Sequence, residues 1–211
     1  MGQVGSPEEP VSNASATPAA AGRDPCGAED LPEDFYAQIK SDLQHRIAER
    51  LTSARRVLEV GCGSCELARF LAARNRQHVV GVDISDGSFP DKGLEDEAVE
   101  CHRADARRLR FVQDRTFDAA VSVYALHEVD KPVEVLTEIK RVLQKGGVVL
   151  LVDFPKHSLA ERLWQEDYYT LGEVRGLLSR AGFQRPEVRG IAQGQVLWAE
   201  GIKCVDEEGA S

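Results

Sequence analysis

The chain of 211 residues lacks the features that mark several protein classes. Its 5 cysteines are an odd number spread along the sequence, which argues against a disulfide framework and makes a reducing, cytoplasmic setting the default expectation. No apolar run approaches the roughly 20 residues of a membrane-spanning helix. Positive charge is in deficit: 26 Lys and Arg face 35 Asp and Glu, for a net charge of -9, which disfavours a nucleic-acid partner. One stretch (Arg103, Arg107, Arg108, Arg110 and Arg115) departs locally from that balance, and Glu95, Asp96, Glu97 and Glu100 beside it fit a solvated face. Zinc is also disfavoured. Cys62 and Cys65 form a Cys-x-x-Cys, but no second pair completes the usual four ligands, leaving a redox pair or two slots of a tight turn as readings.

What is present is a 42% hydrophobic chain of a length suited to one α/β domain with a substantial core. Residues 1–30, dominated by Gly, Ser, Ala and Pro without apolar periodicity, read as a disordered tail with no basic-then-apolar secretion signal. The domain is expected over residues 31–204, followed by an acidic tail at 205–211. Asp30 and Glu33 have capping-box spacing, and Phe35, Ile39, Leu43, Ile47 and Leu51 then recur at helical intervals. A strand is expected at Arg56–Val60, and a helix opening at Pro132 is expected to stop at Gly146-Gly147. The unbroken aliphatic run Val148–Val152 suits a central strand covered on both faces. Thr170 and Glu173 open a last helix, and strands near Gln184–Ile191 and Gln195–Ile202 flank a Gln193-Gly194 turn, predicting an antiparallel hairpin. Gly87, Pro90 and Gly93 predict a loop over 86–93.

The most informative segment is Val57–Glu66, Val-Leu-Glu-Val-Gly-Cys-Gly-Ser-Cys-Glu, where a strand enters a glycine turn. A dinucleotide fingerprint, Gly-x-Gly-x-x-Gly, requires glycine at the last position so that the helix clears a pyrophosphate. Here that position is Glu66, whose carboxylate would repel phosphate. Glu59 instead suits a cationic ligand group. Asp83 ends a short apolar run 20 residues after Gly63, the spacing at which an acid meets ribose hydroxyls in nucleotide folds.

Together these features resemble the class I S-adenosylmethionine (AdoMet) dependent methyltransferases, whose motif I is Glu-x-Gly-x-Gly. The resemblance runs from about Leu31 to Cys204, includes the third-strand segment Cys101–Ala106, the fourth-strand segment Phe117–Ser122 and the Leu143–Gly147 turn, and is nearest to the small-molecule and quinone-biosynthesis subgroup. It implies a Rossmann-like, doubly wound α/β sheet of seven strands, mostly parallel, with the C-terminal hairpin antiparallel. AdoMet would be the cofactor and S-adenosylhomocysteine the product. The cofactor site would comprise Glu59, Gly61, Cys62, Gly63, Asp83, Ile84, Asp105, Ala106 and Tyr124, with Ile84 against the adenine and Asp105 accepting from its amino group.

Substrate residues are sought at the carboxyl ends of the strands, where ligands of open α/β sheets collect. Tyr124, His127, Trp164, Tyr168 and Tyr169 are the candidates for a cavity beside the methyl group. His127 is the one candidate general base, and capping or packing of the next helix is its alternative. For the aromatic residues the alternative is core packing. Tyr36 and Lys40 could meet the methionyl carboxylate, or Lys40 could sit on a solvated face. The implied activity is methyl transfer to a small-molecule acceptor. A protein side chain or terminus as acceptor, or an inactive AdoMet-binding protein, are the other readings.

Overall fold

A computed structural model of the protein describes residues 31–90 and 97–204. The two expected tails and the end of the 86–93 loop lie outside the described residues, and residues 84–90 form an irregular turn as expected. The elements follow in the order α1 (Phe35–Arg50), β1 (Arg56–Val60), α2 (Glu66–Asn75), β2 (His78–Asp83), β3 (Val99–Arg103), β4 (Phe117–Val123), α3 (Pro132–Val142), β5 (Leu143–Asp153), α4 (Leu159–Trp164), α5 (Leu171–Arg180), β6 (Gln184–Ile191) and β7 (Val196–Ile202).

The strands make one 7-stranded sheet in the order β3-β2-β1-β4-β5-β7-β6. Neighbours from β3 through β5 are parallel, whereas β7 pairs antiparallel with both β5 and β6. Alternation along each strand divides the core between two faces. Leu58, Val80 and Ala120 join the cluster containing Leu136 and Ile139 of α3 and Leu177 of α5. Val57, Val79 and Val121 join the opposite cluster with Ile47 of α1 and Leu67 and Leu71 of α2. Burial of β1 on both faces explains its nearly continuous apolar run. The strand order reverses beside β1, since β2 lies on one side and β4 on the other, and this opens a crevice above the carboxyl end of β1.

Three local expectations need correction. Helix α1 begins at Phe35 with Asp34 at the N-cap position and no side-chain cap, so Glu33 does not serve a capping box. Helix α3 ends at Val142 and β5 begins at once with Leu143, so Gly146-Gly147 lies within the strand rather than stopping a helix. Gly147 is needed there because a Cβ would lie 2.9 Å from the Gln144 carbonyl and 3.0 Å from that of Asp118, at the irregular register between β4 and β5. The Thr170–Glu173 capping box does form at α5. Finally, Cys65 and Cys101 are joined as a disulfide, with Cα atoms 6.8 Å apart. Sparse cysteines argued against pairing, but the parallel β2–β3 ladder carries Cys101 opposite Gly81, whose bare Cα faces the sulfurs of Cys62 and Cys65. Cys62 is a buried free thiol with its Sγ 3.6 Å from that of Cys65.

Candidate functional site: two chambers about a glycine turn

At the end of β1 the chain turns sharply because Gly61 adopts φ +73°, a conformation that side-chain-bearing residues rarely take, and a Cβ there would collide with that of Ala125. The amides of Gly61 and Cys62 both donate to the Val82 carbonyl, at 2.8 and 3.2 Å. The amide of Gly63 donates to Asp83 Oδ2 at 2.9 Å, and that of Ser85 to Oδ1 at 3.0 Å. Asp83 therefore anchors the glycine turn as well as facing the crevice. Cys62 contributes backbone to the turn while its side chain points into the core.

Glu59 lies just beneath this turn and is only 4% exposed. Burial pushes its carboxyl up to about 8; a hydrogen bond with the Ala68 backbone opposes that rise and the charge of Asp83 adds to it. Its Oε2 has no hydrogen-bond partner. A buried carboxylate oxygen without a partner costs stability unless something donates to it, and a ligand ammonium is the fitting donor.

Two chambers open on either side of the turn. The first, about 460 Å³, is lined by Gly61, Gly63, Asp83, Ile84, Asp105, Ala106 and Tyr124 among others. Ile84 is 69% exposed, a large apolar side chain left open at the chamber wall. Arg107 grips Asp105 through Nε and Nη2 at 2.7–3.0 Å, and this pairing, joined by the Arg107 amide, holds the carboxyl down at about 2. The residues expected to hold an adenosine are thus brought together in one cavity.

The second chamber, about 630 Å³, shares Gly61, Gly63 and Tyr124 with the first and adds Glu59, His127, Trp164 and Tyr168. Tyr124, at the end of β4, sits at φ 55°, a costly conformation for a residue with a side chain. Its ring stacks on Phe154 at 4.2 Å with planes 4° apart. His127 stands in the short 3-10 turn Leu126–Glu128. Its Nδ1 lies 2.8 Å from Asp153 Oδ1, its amide donates to Asp153 Oδ2, and its Nε2 lies 3.1 Å from Glu166. Burial disfavours charge on this imidazole, but the hydrogen bond and charge of Asp153, with Glu128 and Glu166, outweigh it and raise its pKa. His127 is therefore oriented by a carboxylate inside the cleft and does not merely cap a helix.

Tyr169 is not brought to the cleft. It packs against the core formed with α3 and α5, because neighbours on the extended segment before α5 face opposite ways and Tyr168 takes the cleft side. Lys40 does line the chamber, but its ammonium is 2.9 Å from Glu66, whose carboxyl that contact lowers. The Tyr36 hydroxyl accepts from the Ala160 amide at 3.0 Å, which ties α1 to α4. The end of β5, Asp153 and Phe154, was expected to point at the methyl group, but neither residue was given a role, and Glu166 was not anticipated. The signal for Asp153 was an acid closing an otherwise aliphatic central strand.

A family model described as a methyltransferase domain matches residues 58–151, the span from β1 to β5 that builds both chambers. This matched domain is of the class I, AdoMet-dependent methyltransferase kind. Sterol 4-C-methyltransferase strm-1 of Caenorhabditis elegans is 30% identical to this chain over 154 residues, covering 67% of this chain and 45% of the worm protein. Phosphatidylethanolamine N-methyltransferase of Cereibacter sphaeroides is 37% identical over 129 residues, covering 57% of this chain and 62% of the bacterial protein. A solved AdoMet-dependent methyltransferase from Aquifex aeolicus has the same fold, with a TM-score of 0.61 at 17% identity over 82% of this chain and 100% of that one. The chain spans about half the length of the curated relatives it matches. No helix among its described residues is long and apolar enough to cross a membrane.

Proposed function

We propose that this methyltransferase binds AdoMet across the two chambers and transfers its methyl group to a small organic acceptor in the larger one. The observation that carries this reading is the partnerless, buried Oε2 of Glu59, which lines the larger chamber beneath the glycine turn that the two chambers share. The first chamber would hold the adenosine, with Asp83 accepting from the ribose hydroxyls, Ile84 against the base and Asp105 with the amide of Ala106 at its edge. Glu59 would pair with the methionyl ammonium. The bound sulfonium supplies an activated methyl group for in-line displacement.

The chain's own contribution is then mainly position and exclusion of water. Tyr124 borders both chambers and would orient the methyl group toward the acceptor. His127, backed by Asp153, would take a proton from an acceptor that must lose one. Relatives named for sterol and phosphatidylethanolamine methylation support a small organic acceptor. The test is a metabolite extract incubated with methyl-labelled AdoMet and resolved by mass. Label in one small metabolite is expected. Label confined to protein would replace the acceptor class, and no label together with no AdoMet binding would remove the activity.

A further inference from the structure

The acceptor chamber combines two features that together select for one chemistry. Its wall is aromatic: the Phe154 ring is 4.2 Å from Tyr124, 4.7 Å from Tyr36 and 4.9 Å from Trp164, and Tyr168 lies 4.7 Å from the His127 ring. Its polar rim is acidic. Glu128 and Glu166 line it, 4.0 and 3.1 Å from Nε2 of His127, and the buried Asp153 backs the same imidazole through Nδ1. The other cation lining the chamber, Lys40, is already paired with Glu66. Aromatic faces attract cations, and unbalanced carboxylates repel anions, so a carboxylate or phosphate acceptor is disfavoured twice.

We propose that the acceptor is an amine, entering as its ammonium form and methylated on nitrogen. This rests on the AdoMet reading above and names the substrate class of the same site. Glu166, half exposed on the irregular segment 165–170, now bridges His127 Nε2 and the Tyr168 hydroxyl, at 3.1 and 3.2 Å. An ammonium at that place takes over both contacts: the imidazole releases its Nε2 proton to solvent as the second cation arrives, and the ammonium donates one hydrogen to Glu166 and faces the now neutral Nε2, while Asp153 fixes the tautomer through Nδ1–H. The ammonium proton passes to Nε2. The freed nitrogen lone pair then forms the N–CH3 bond while the S–CH3 pair remains on sulfur, leaving the thioether S-adenosylhomocysteine. The new N-methylammonium sheds its charge by proton loss to solvent, and His127 releases the proton it took.

The test measures binding first, so that it does not depend on finding the natural substrate. With S-adenosylhomocysteine bound, binding of phenethylamine and of its neutral oxygen isostere, 2-phenylethanol, is titrated by calorimetry. The amine is expected to bind about tenfold more tightly, and Glu166→Gln to shrink that preference severalfold. Equal affinity, tighter binding of the alcohol, or no binding of either overturns the amine assignment. A second arm measures turnover of an amine panel against matched alcohols and carboxylic acids. Methylation of oxygen acceptors alone overturns the amine while leaving the methyltransferase reading standing. Failure to bind S-adenosylhomocysteine at all removes both.

Discussion

Glu59→Gln is the most informative perturbation, because the unliganded protein holds Glu59 mostly protonated. With its carboxyl pushed up to about 8 by burial, ionising it at pH 7 costs about 1.4 kcal/mol. A methionyl ammonium needs the carboxylate, so binding must drive the proton off. The sign follows: below pH 8 each unit of acidification should weaken AdoMet about tenfold, and at pH 7 close to one proton should leave per site. Above pH 8 the gain ends as the ligand's own amine, near the usual α-amino value of about 8, loses its proton. Linkage in the free protein runs the other way. An acid whose folded pKa is raised costs stability as pH climbs from its ordinary value of 4.5 to about 8, and Glu59→Gln should flatten that decline. The variant loses a charged hydrogen-bond partner, weakening AdoMet by about 1.5–3 kcal/mol at pH 8. Calorimetry at pH 6, 7 and 8, in two buffers of different ionisation enthalpy, reads both affinity and proton release. An affinity flat across that range with no proton released would refute the reasoning.

Asp83→Ala should weaken AdoMet by about 1.5–3 kcal/mol and loosen the turn that Gly63 and Ser85 tie to it, measured by titration and by amide exchange at Gly63. An unchanged affinity would take Asp83 out of the site. Trp164→Ala should lower turnover at least tenfold with AdoMet affinity within about twofold, whereas Tyr169→Phe should leave both unchanged because that ring packs in the core. Equal effects of the two variants on turnover would return Tyr169 to the cleft. Reducing the Cys65–Cys101 bond, which closes a separation of 36 residues, should lower stability by about 3–4 kcal/mol in a chemical unfolding curve. Identical curves with and without reductant would show the bond to be unimportant to the fold.

Much of the fold was readable because its signals are local. Strand β1 over Arg56–Val60 and strand β6 over Gln184–Ile191 were each expected over the same residues. The glycine turn and the spacing from Gly63 to Asp83 placed the first chamber, since turn geometry and strand length fix that distance along the chain. The acceptor chamber was less legible. Asp153 supports His127 across 26 residues and a sheet crossover, and no local pattern encodes that pairing. The choice between Tyr168 and Tyr169 depends on the phase of an irregular segment, where alternation has no neighbouring strand to anchor it. The Cys65–Cys101 bond needed the register of β2 against β3, which pattern reading cannot supply. Gly146-Gly147 misled because two glycines after an amphipathic helix are also what a helix stop looks like, and here they relieve crowding inside a strand.

The account rests on one ligand spanning both chambers with its ammonium on Glu59. A crystal structure with S-adenosylhomocysteine tests this directly. The account predicts the adenine beside Ile84, the ribose on Asp83, the homocysteine nitrogen within hydrogen-bond distance of Glu59 Oε2, and the sulfur facing the chamber of Tyr124 and His127. A ligand bound elsewhere, or with its carboxylate rather than its nitrogen toward Glu59, would contradict it.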